Sequence, residues 1–319
     1  MSLITRTLSA ALLAAALITP IASSNASERA SAFETKFGYE TIDGLRIAYR
    51  EAGDPANPTV LLLHGFPTSS HMFRNLIPDL ATDYHVIAPD FQGFGASDMP
   101  SAETYDYTFD SLAGTVEELL ERKNIENYAL YLMDYGAPVG YRLFADAPEK
   151  VSGFIIQNGN AYEEGLPEFW DPIRAYWADP SEENAAPLRA FLGIEGTKWQ
   201  FTHGTRNPDA ISPDNYWHVQ YLLDRPGNAE VQLELFYDYR TNLTLYPEWQ
   251  ALFREHQPPA LVVWGQNDQI FPAEGAHPYR QDLTNVEFHL LDTGHFALEE
   301  DGAFIAEEIR DFLEREITQ

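Results

Sequence analysis

The chain has 319 residues, 49 of them acidic against 20 basic, a formal net charge of −29 and no cysteine. That charge excludes nucleic acid and anionic membrane surfaces as partners, since both need clustered Lys and Arg. The missing cysteines exclude disulfides, thiolate catalysis and Cys-ligated metals, and the length with 45% apolar residues suffices for one large α/β domain or two small ones.

The first 26 residues differ from the rest. Arg6 precedes an apolar run from Leu8 to Ile18, then come Pro20 and the small-x-small triplet Ser24-Asn25-Ala26. This predicts a secretory signal peptide, cleaved near Ala26, and a secreted or periplasmic mature chain. The apolar run is too short for a membrane-spanning helix, which needs about 20 residues.

Downstream, strand and helix patterns alternate. Residues 37–42 and 45–53 predict an opening hairpin around Asp43-Gly44. Residues 59–65 and 84–90 are apolar runs of buried-strand type, separated by the amphipathic "SHMFRNLIPDLA". Phe109, Leu112, Ala113, Val116, Leu119 and Leu120 have helical spacing. A strand at "YALYLMD", a helix over 137–146 and a strand over 151–159 follow. Strands at 259–265 and 286–292 precede a last helix carrying Phe304, Ile305, Ile309, Phe312 and Leu313. Alternation of this kind predicts a mostly parallel sheet with helices on both faces. Residues 160–245 break the rhythm, being rich in Trp, Tyr and Pro, and predict an inserted α-helical cap. The expected organisation is therefore a signal peptide (1–26), a first core segment (27–159), the cap (160–245) and a second core segment (246–319).

Sites in open parallel sheets lie at the carboxyl ends of the strands. Here those ends carry His64-Gly65-Phe66-Pro67, Asp134, Asp268 and His295. A carboxylate on a strand-to-helix turn, then an acid, then a histidine is the chain order of an α/β-hydrolase triad, with Asp134 where serine usually stands. Leu132 replaces the small residue usual two places earlier, and Gly136 keeps the small residue two places later. An ionised Asp134 needs no base to attack an electrophilic carbon and form an ester. His295, held by Asp268, is then free to deprotonate the water that hydrolyses it. The amides of Phe66 and Tyr135 are the candidate oxyanion donors, worth roughly 3 kcal/mol each. No His/Asp/Glu grouping has metal-ligand spacing, so no metal or other cofactor is expected.

"HGFPTSSHMFRNLIPDLA", "APDFQGFGASD", "MDYGAPVGYRLFADAPEKV", "VWGQNDQIF" and "DTGHFALEE" together resemble the Asp-nucleophile α/β-hydrolases, the epoxide hydrolases and haloalkane dehalogenases. The resemblance spans nearly the whole chain after the N-terminal segment. It implies the α/β-hydrolase fold, no cofactor, water as co-substrate and a small apolar electrophile as substrate. Epoxide hydrolases use cap tyrosines to assist the leaving oxygen. Tyr239 matches one such position, and Tyr176 is the expected second, with Tyr162, Tyr216 and Tyr221 as competitors. His64-Gly65-Phe66-Pro67 resembles their HGxP turn. Haloalkane dehalogenases clamp halide with a Trp after the nucleophile and an Asn or cap Trp. Here Tyr135 and Phe66 occupy the first two positions, leaving Trp170 or Trp177 as cap donors. Epoxide hydrolysis is therefore the first expectation, dehalogenation the alternative and a non-catalytic binding protein the third. A serine esterase built on Ser97 lacks the elbow context. His64, Asp90 and Asp98 are expected to brace the turns around the site.

Overall fold

The computed structural model describes residues 34–317, so the expected signal segment lies outside the described residues. Eight strands form one sheet: β1 (Lys36–Ile42), β2 (Leu45–Ala52), β3 (Thr59–Leu63), β4 (His85–Pro89), β5 (Tyr128–Met133), β6 (Val151–Gln157), β7 (Ala260–Gly265) and β8 (Val286–Leu291). Their order is β1-β2-β4-β3-β5-β6-β7-β8. The β1–β2 and β2–β4 pairs are antiparallel, and the remaining pairs are parallel. The β1–β2 hairpin turns on Asp43 (φ 50°) and Gly44 (φ 83°). Two positive φ values at the centre of the loop match the twist of the flanking strands.

The central strands are buried along their whole length. Every residue of β3, β4, β5 and β7 is buried, as expected for strands covered on both faces. The covering helices of the core are α1 (Leu76–Leu80), α2 (Phe109–Arg122) and α3 (Gly136–Asp146) in the first segment. All six apolar residues that set the helical spacing of α2 face inward. "SHMFRNLIPDLA" is not one helix. It splits into a 3-10 turn, Ser70–Phe73, and α1. Pro78 lacks the N–H that a continuous ladder would direct at Arg74, which weakens the junction between the two pieces.

Residues after β6 build the cap from α4 (Asp171–Ala178), α5 (Glu182–Phe191), α6 (Ile194–Thr202), α7 (Pro213–Leu223) and α8 (Asn228–Asp238). Then α9 (Arg240–His256) runs through position 245, so the chain passes from cap to core inside one helix rather than at a linker. The second core segment adds α10 (Tyr279–Asp282) and α11 (Leu298–Glu316). The cap is fastened to the core by polar contacts. Arg225 donates to the carbonyls of Gly93 and Gly95 at 2.6 and 3.2 Å, and Arg206 pairs with Asp301 at 2.7 Å. Among the described residues, no helix is long and apolar enough to cross a membrane.

Candidate active site

The chain leaves β3 toward β4 on one side of the sheet and β5 toward β6 on the other. The strand ends around this reversal form a natural crevice. Asp134 sits there, directly after β5, with φ 48°. A non-glycine residue in this left-handed region is strained, and such strain concentrates at functional turns. The tight turn also requires a small residue after it. A Cβ on Gly136 would lie 2.2 Å from the carbonyl oxygen of Leu63. The bulky Leu132 fits because α3 offers Gly140 opposite, where a Cβ would come within 2.2 Å of a Leu132 methyl.

Asp134 is 4% exposed, and its two oxygens are treated differently. Oδ1 accepts from the amide of Phe66 at 2.7 Å and from that of Tyr135 at 2.5 Å. Oδ2 faces Nε2 of His295 at 3.7 Å. Burial pushes the carboxyl up to about 6, although the His295 charge and the two amides pull it down. It is still mostly ionised at neutral pH.

His295 follows β8 and is also buried. Its Nδ1 lies 2.7 Å from Asp268 Oδ2, and Nε2 has no hydrogen-bond partner. With Nδ1–H donating to the carboxylate, a neutral ring presents its lone pair at Nε2, toward Asp134. Burial resists charge on this ring. Asp268 first and Asp134 second outweigh it, so the histidine is held above its ordinary value. Asp268, after β7, is fixed in turn. Its Oδ1 accepts from the Ile270 amide at 2.8 Å, and its Oδ2 also accepts from Asn158 Nδ2 at 2.9 Å.

Asn158 was not among the expected site residues, yet it joins three strand ends. Beside its contact with Asp268, its Oδ1 accepts from the Gly265 amide at 2.9 Å and its carbonyl from the Asp134 amide at 3.3 Å. It too has positive φ, 45°. The signal was present in the sequence as a polar "QNGN" ending a buried strand, the same pattern that singled out Asp134. Gln157 adds a bond from its Nε2 to the His295 carbonyl at 3.1 Å.

The bracing residues have full-time structural partners. His64 Nε2 accepts from the Phe91 amide at 3.0 Å, while Nδ1 lies 3.1 Å from the Gly65 carbonyl. Burial lowers its pKa to about 4, so it stays neutral. Asp90 accepts from the amides of Ser70 and Ala96, both at 2.8 Å, and Asp98 pairs with Arg46.

The cap contributes unequally. Tyr239 is 1% exposed and lies in the aromatic wall over the elbow, its ring 6.2 Å from that of Tyr135 and 4.6 Å from that of Trp170. Burial holds its hydroxyl far above the usual tyrosine range, so it remains a protonated donor. Its oxygen is 3.3 Å from the hydroxyl of Tyr246, which accepts from Asn160 Nδ2 at 3.2 Å. Tyr176, on α4, packs within the cap: like Trp177 it is partly buried, three residues after the buried Ile173. Its half-exposed ring packs edge-on against Tyr237 at 5.9 Å. Of its competitors, Tyr162 is tied to Asp282 at 2.8 Å, Tyr216 packs against the Phe201 ring at 6.5 Å, and Tyr221 is exposed. The indole N–H groups of Trp170 and Trp177 are committed to the carbonyls of Ile270 and Phe236, at 2.8 and 2.6 Å. The Tyr135 hydroxyl is buried without a partner.

Among the described residues, one group of potential cation ligands, Glu287, His289 and Glu308, brings α11 against β8. Its members partner one another: His289 Nε2 lies 3.1 and 3.2 Å from the two glutamates, and Arg315 pairs with Glu287.

The alpha/beta hydrolase fold family model matches residues 58–302. An uncharacterized hydrolase of Saccharomyces cerevisiae, YNR064C, is 45% identical over 84% of this chain and 93% of its own length. A haloalkane dehalogenase of Mycolicibacterium paratuberculosis is 35% identical over 83% of this chain and 86% of its own. Among solved structures, the epoxide hydrolase CorEH superposes with a TM-score of 0.72 at 21% identity, over 88% of this chain and 99% of that one, a likeness of fold. With the strand order and the turn on which Asp134 sits, these matches make the chain a member of the α/β-hydrolase family and a hydrolase.

Proposed function

We propose that the protein hydrolyses an epoxide to a vicinal diol through an ester on Asp134. The observation that carries this proposal is the division of the Asp134 carboxylate. One oxygen is tied to the Phe66 and Tyr135 amides, and the other faces His295 Nε2 at 3.7 Å. Attack by Oδ2 forms a bond to a ring carbon and breaks its C–O bond, sending the electron pair to the ring oxygen. Tyr239 gives its proton to that oxygen. Water then attacks the ester carbonyl while giving a proton to His295. The charge that develops on Oδ1 is held by the two amides, and collapse releases the diol. In this second step the proton that His295 takes from water passes to the departing diol oxygen, and the carboxyl proton left on Asp134 restores Tyr239.

The cap supports an oxygen rather than a halide as leaving group. Both candidate indole donors are occupied by backbone carbonyls, and Phe66 has no side-chain donor. By contrast, the Asn160–Tyr246–Tyr239 chain lets Tyr246 donate to Tyr239, which frees the Tyr239 hydrogen for substrate. Dehalogenation is the second reading, favoured by one observation: the unpaired, buried hydroxyl of Tyr135 beside the nucleophile. A parallel screen of styrene-oxide-type epoxides and short haloalkanes tests both, scoring diol and halide release separately. Diol release supports the first reading and halide release alone the second. Neither product from any compound favours a binding protein. The N-terminal segment further supports action outside the cytoplasm, which the N-terminal sequence of the chain recovered from the host would check.

A further inference from the structure

We infer that Gln200 recognises a second polar group on the substrate, so that the epoxides suited to this site carry a hydroxyl or carboxamide a few bonds from the ring. This rests on the proposed function above. Gln200 is 1% exposed, and neither Oε1 nor Nε2 has a hydrogen-bond partner. A buried carboxamide with both ends unpaired is costly, and native interiors keep such groups where something else completes them.

Its direction follows from the helix that carries it. Successive side chains on α6 are about 100° apart, so Gln200 points between Trp199 and Phe201. On the Trp199 side, the ring contacts run through Phe191, at 6.1 Å, to Phe66, at 6.4 Å. Phe66 is the residue whose amide holds Asp134. On the other side, Phe201 stacks on Phe296 at 4.3 Å, and Phe296 lies 4.9 Å from the His295 ring. The end of α6 closes down on the same loop: a Cβ on Gly294 would lie 1.9 Å from the His203 carbonyl oxygen. Thr197, one turn back, is already paired with Gln220 of α7 at 2.7 Å, so it does not satisfy Gln200. The buried carboxamide thus lies on α6 between one chain of ring contacts that ends at Phe66 and another that ends at His295.

The chemistry of the group sets the ligand class. A carboxamide offers donor and acceptor side by side, and its natural complement is a group that also does both, a hydroxyl or another amide. A carboxylate can use only Nε2 and faces Oε1 as a repulsive neighbour, in a chain of net charge −29. A purely hydrocarbon epoxide leaves Gln200 unpaired in the complex, and sites with buried polar groups discriminate against such ligands.

The test uses the full chain and isosteric pairs in which a terminal methyl is exchanged for hydroxyl. Glycidol is compared with 1,2-epoxybutane, and 3,4-epoxy-1-butanol with 1,2-epoxypentane; a carboxamide-bearing epoxide is the third probe. The quantity read is the ratio of kcat/KM values within a pair. For at least one reach, the wild type should favour the polar member by about 10-fold or more, and Gln200→Met, of similar volume, should bring that ratio to within about 3-fold of one. A general structural role for Gln200 would lower both members together and leave the ratio in place. If the wild type prefers no polar member, or Gln200→Met keeps the preference, the inference is overturned while the epoxide reading stands. The wild-type ratios decide this even where the variant folds poorly. If the wild type opens no epoxide at all, the proposed function fails and the inference falls with it.

Discussion

Asn158 and Asp268 sit at the ends of neighbouring strands and share a hydrogen bond of 2.9 Å, from Asn158 Nδ2 to the carboxylate oxygen that also meets His295 Nδ1. That single oxygen therefore fixes the orientation of the histidine. Asn158→Ala removes the bond and leaves the Gly265 amide without its acceptor. It should destabilise the fold by about 1–3 kcal/mol, the cost of an unpaired buried polar group. It should slow ester hydrolysis more than ester formation, because only the second half-reaction uses His295. Single-turnover kinetics separate the two steps; equal slowing of both would mean that Asn158 shapes the elbow rather than the acid.

The same division of labour predicts a trapped intermediate. His295→Ala should accumulate an adduct on Asp134 with a true substrate, seen by intact mass and located by peptide mapping. Asp134→Ala should show neither adduct nor turnover. In heavy-oxygen water, a single wild-type turnover should leave label in the Asp134 carboxylate, because water attacks the ester carbonyl. Label appearing directly in the diol, together with no adduct in the histidine variant, would remove Asp134 as nucleophile.

The two steps should also respond differently to pH. Asp134 attacks only as the carboxylate, and burial has raised it to about 6, so ester formation should rise through that value. His295 accepts a proton from water only when neutral. Burial opposes its charge, but Asp268 and Asp134 together raise it above its ordinary 6.5. Esterification removes the Asp134 charge and leaves Asp268 as the principal stabiliser of the imidazolium. That lowers the histidine again, so hydrolysis should hold its rate further into acid than the resting enzyme's His295 implies, while ester formation should lose about half its rate near pH 6. Single-turnover rates of the two steps across pH measure both, and ester formation that is flat through pH 6 contradicts this assignment.

The strand pattern was legible because the central strands are apolar on both faces, and the elbow because a carboxylate ending such a strand has no ordinary packing role. Asp134, Asp268 and His295, far apart in sequence, converge at one crevice. Tyr176 illustrates what linear sequence hides. A cap helix is amphipathic toward two neighbours, and only the packed structure tells that Tyr176 meets Tyr237 while Trp177 meets Phe236 and Tyr239. Tyr246 was missed although it follows Tyr239, the N-cap of α9, by seven residues, two helical turns on one face, a spacing that the sequence does carry. The break between Ser70–Phe73 and α1 lies beneath a hydrophobic pattern that reads as continuous.

Tyr239→Phe should slow ester formation by about 10- to 100-fold, the loss of one donor to a developing oxyanion. Tyr246→Phe should have a smaller effect in the same step, because it frees Tyr239 to turn its hydrogen away from substrate without removing it. The comparison is made by single-turnover alkylation of the two variants. A larger loss from Tyr246 than from Tyr239 would reverse their roles.

Asp134 also has a cost for the fold, and that cost depends on pH. Its folded value, about 6, lies above the ordinary 3.8, so ionisation opposes folding. The penalty is absent below about pH 4, grows as pH rises between the two values, and is fully present above about 6. Two pKa units correspond to about 3 kcal/mol, with the attraction to His295 already counted, so a penalty of ~1–3 kcal/mol is expected. The substitution Asp134→Asn keeps a side-chain oxygen for the Phe66 and Tyr135 amides, and asparagine tolerates φ 48° better than most residues. This variant should therefore be inactive and yet melt at a higher temperature than the wild type at pH 8. The advantage should shrink as pH falls from 6 toward 4, because the wild-type carboxyl is then neutral as well. Thermal melts of both proteins across that range are the measurement. A variant that melts lower than the wild type at pH 8 would mean that the His295 pairing outweighs desolvation, and that the strand-ending carboxylate stabilises the fold rather than burdening it.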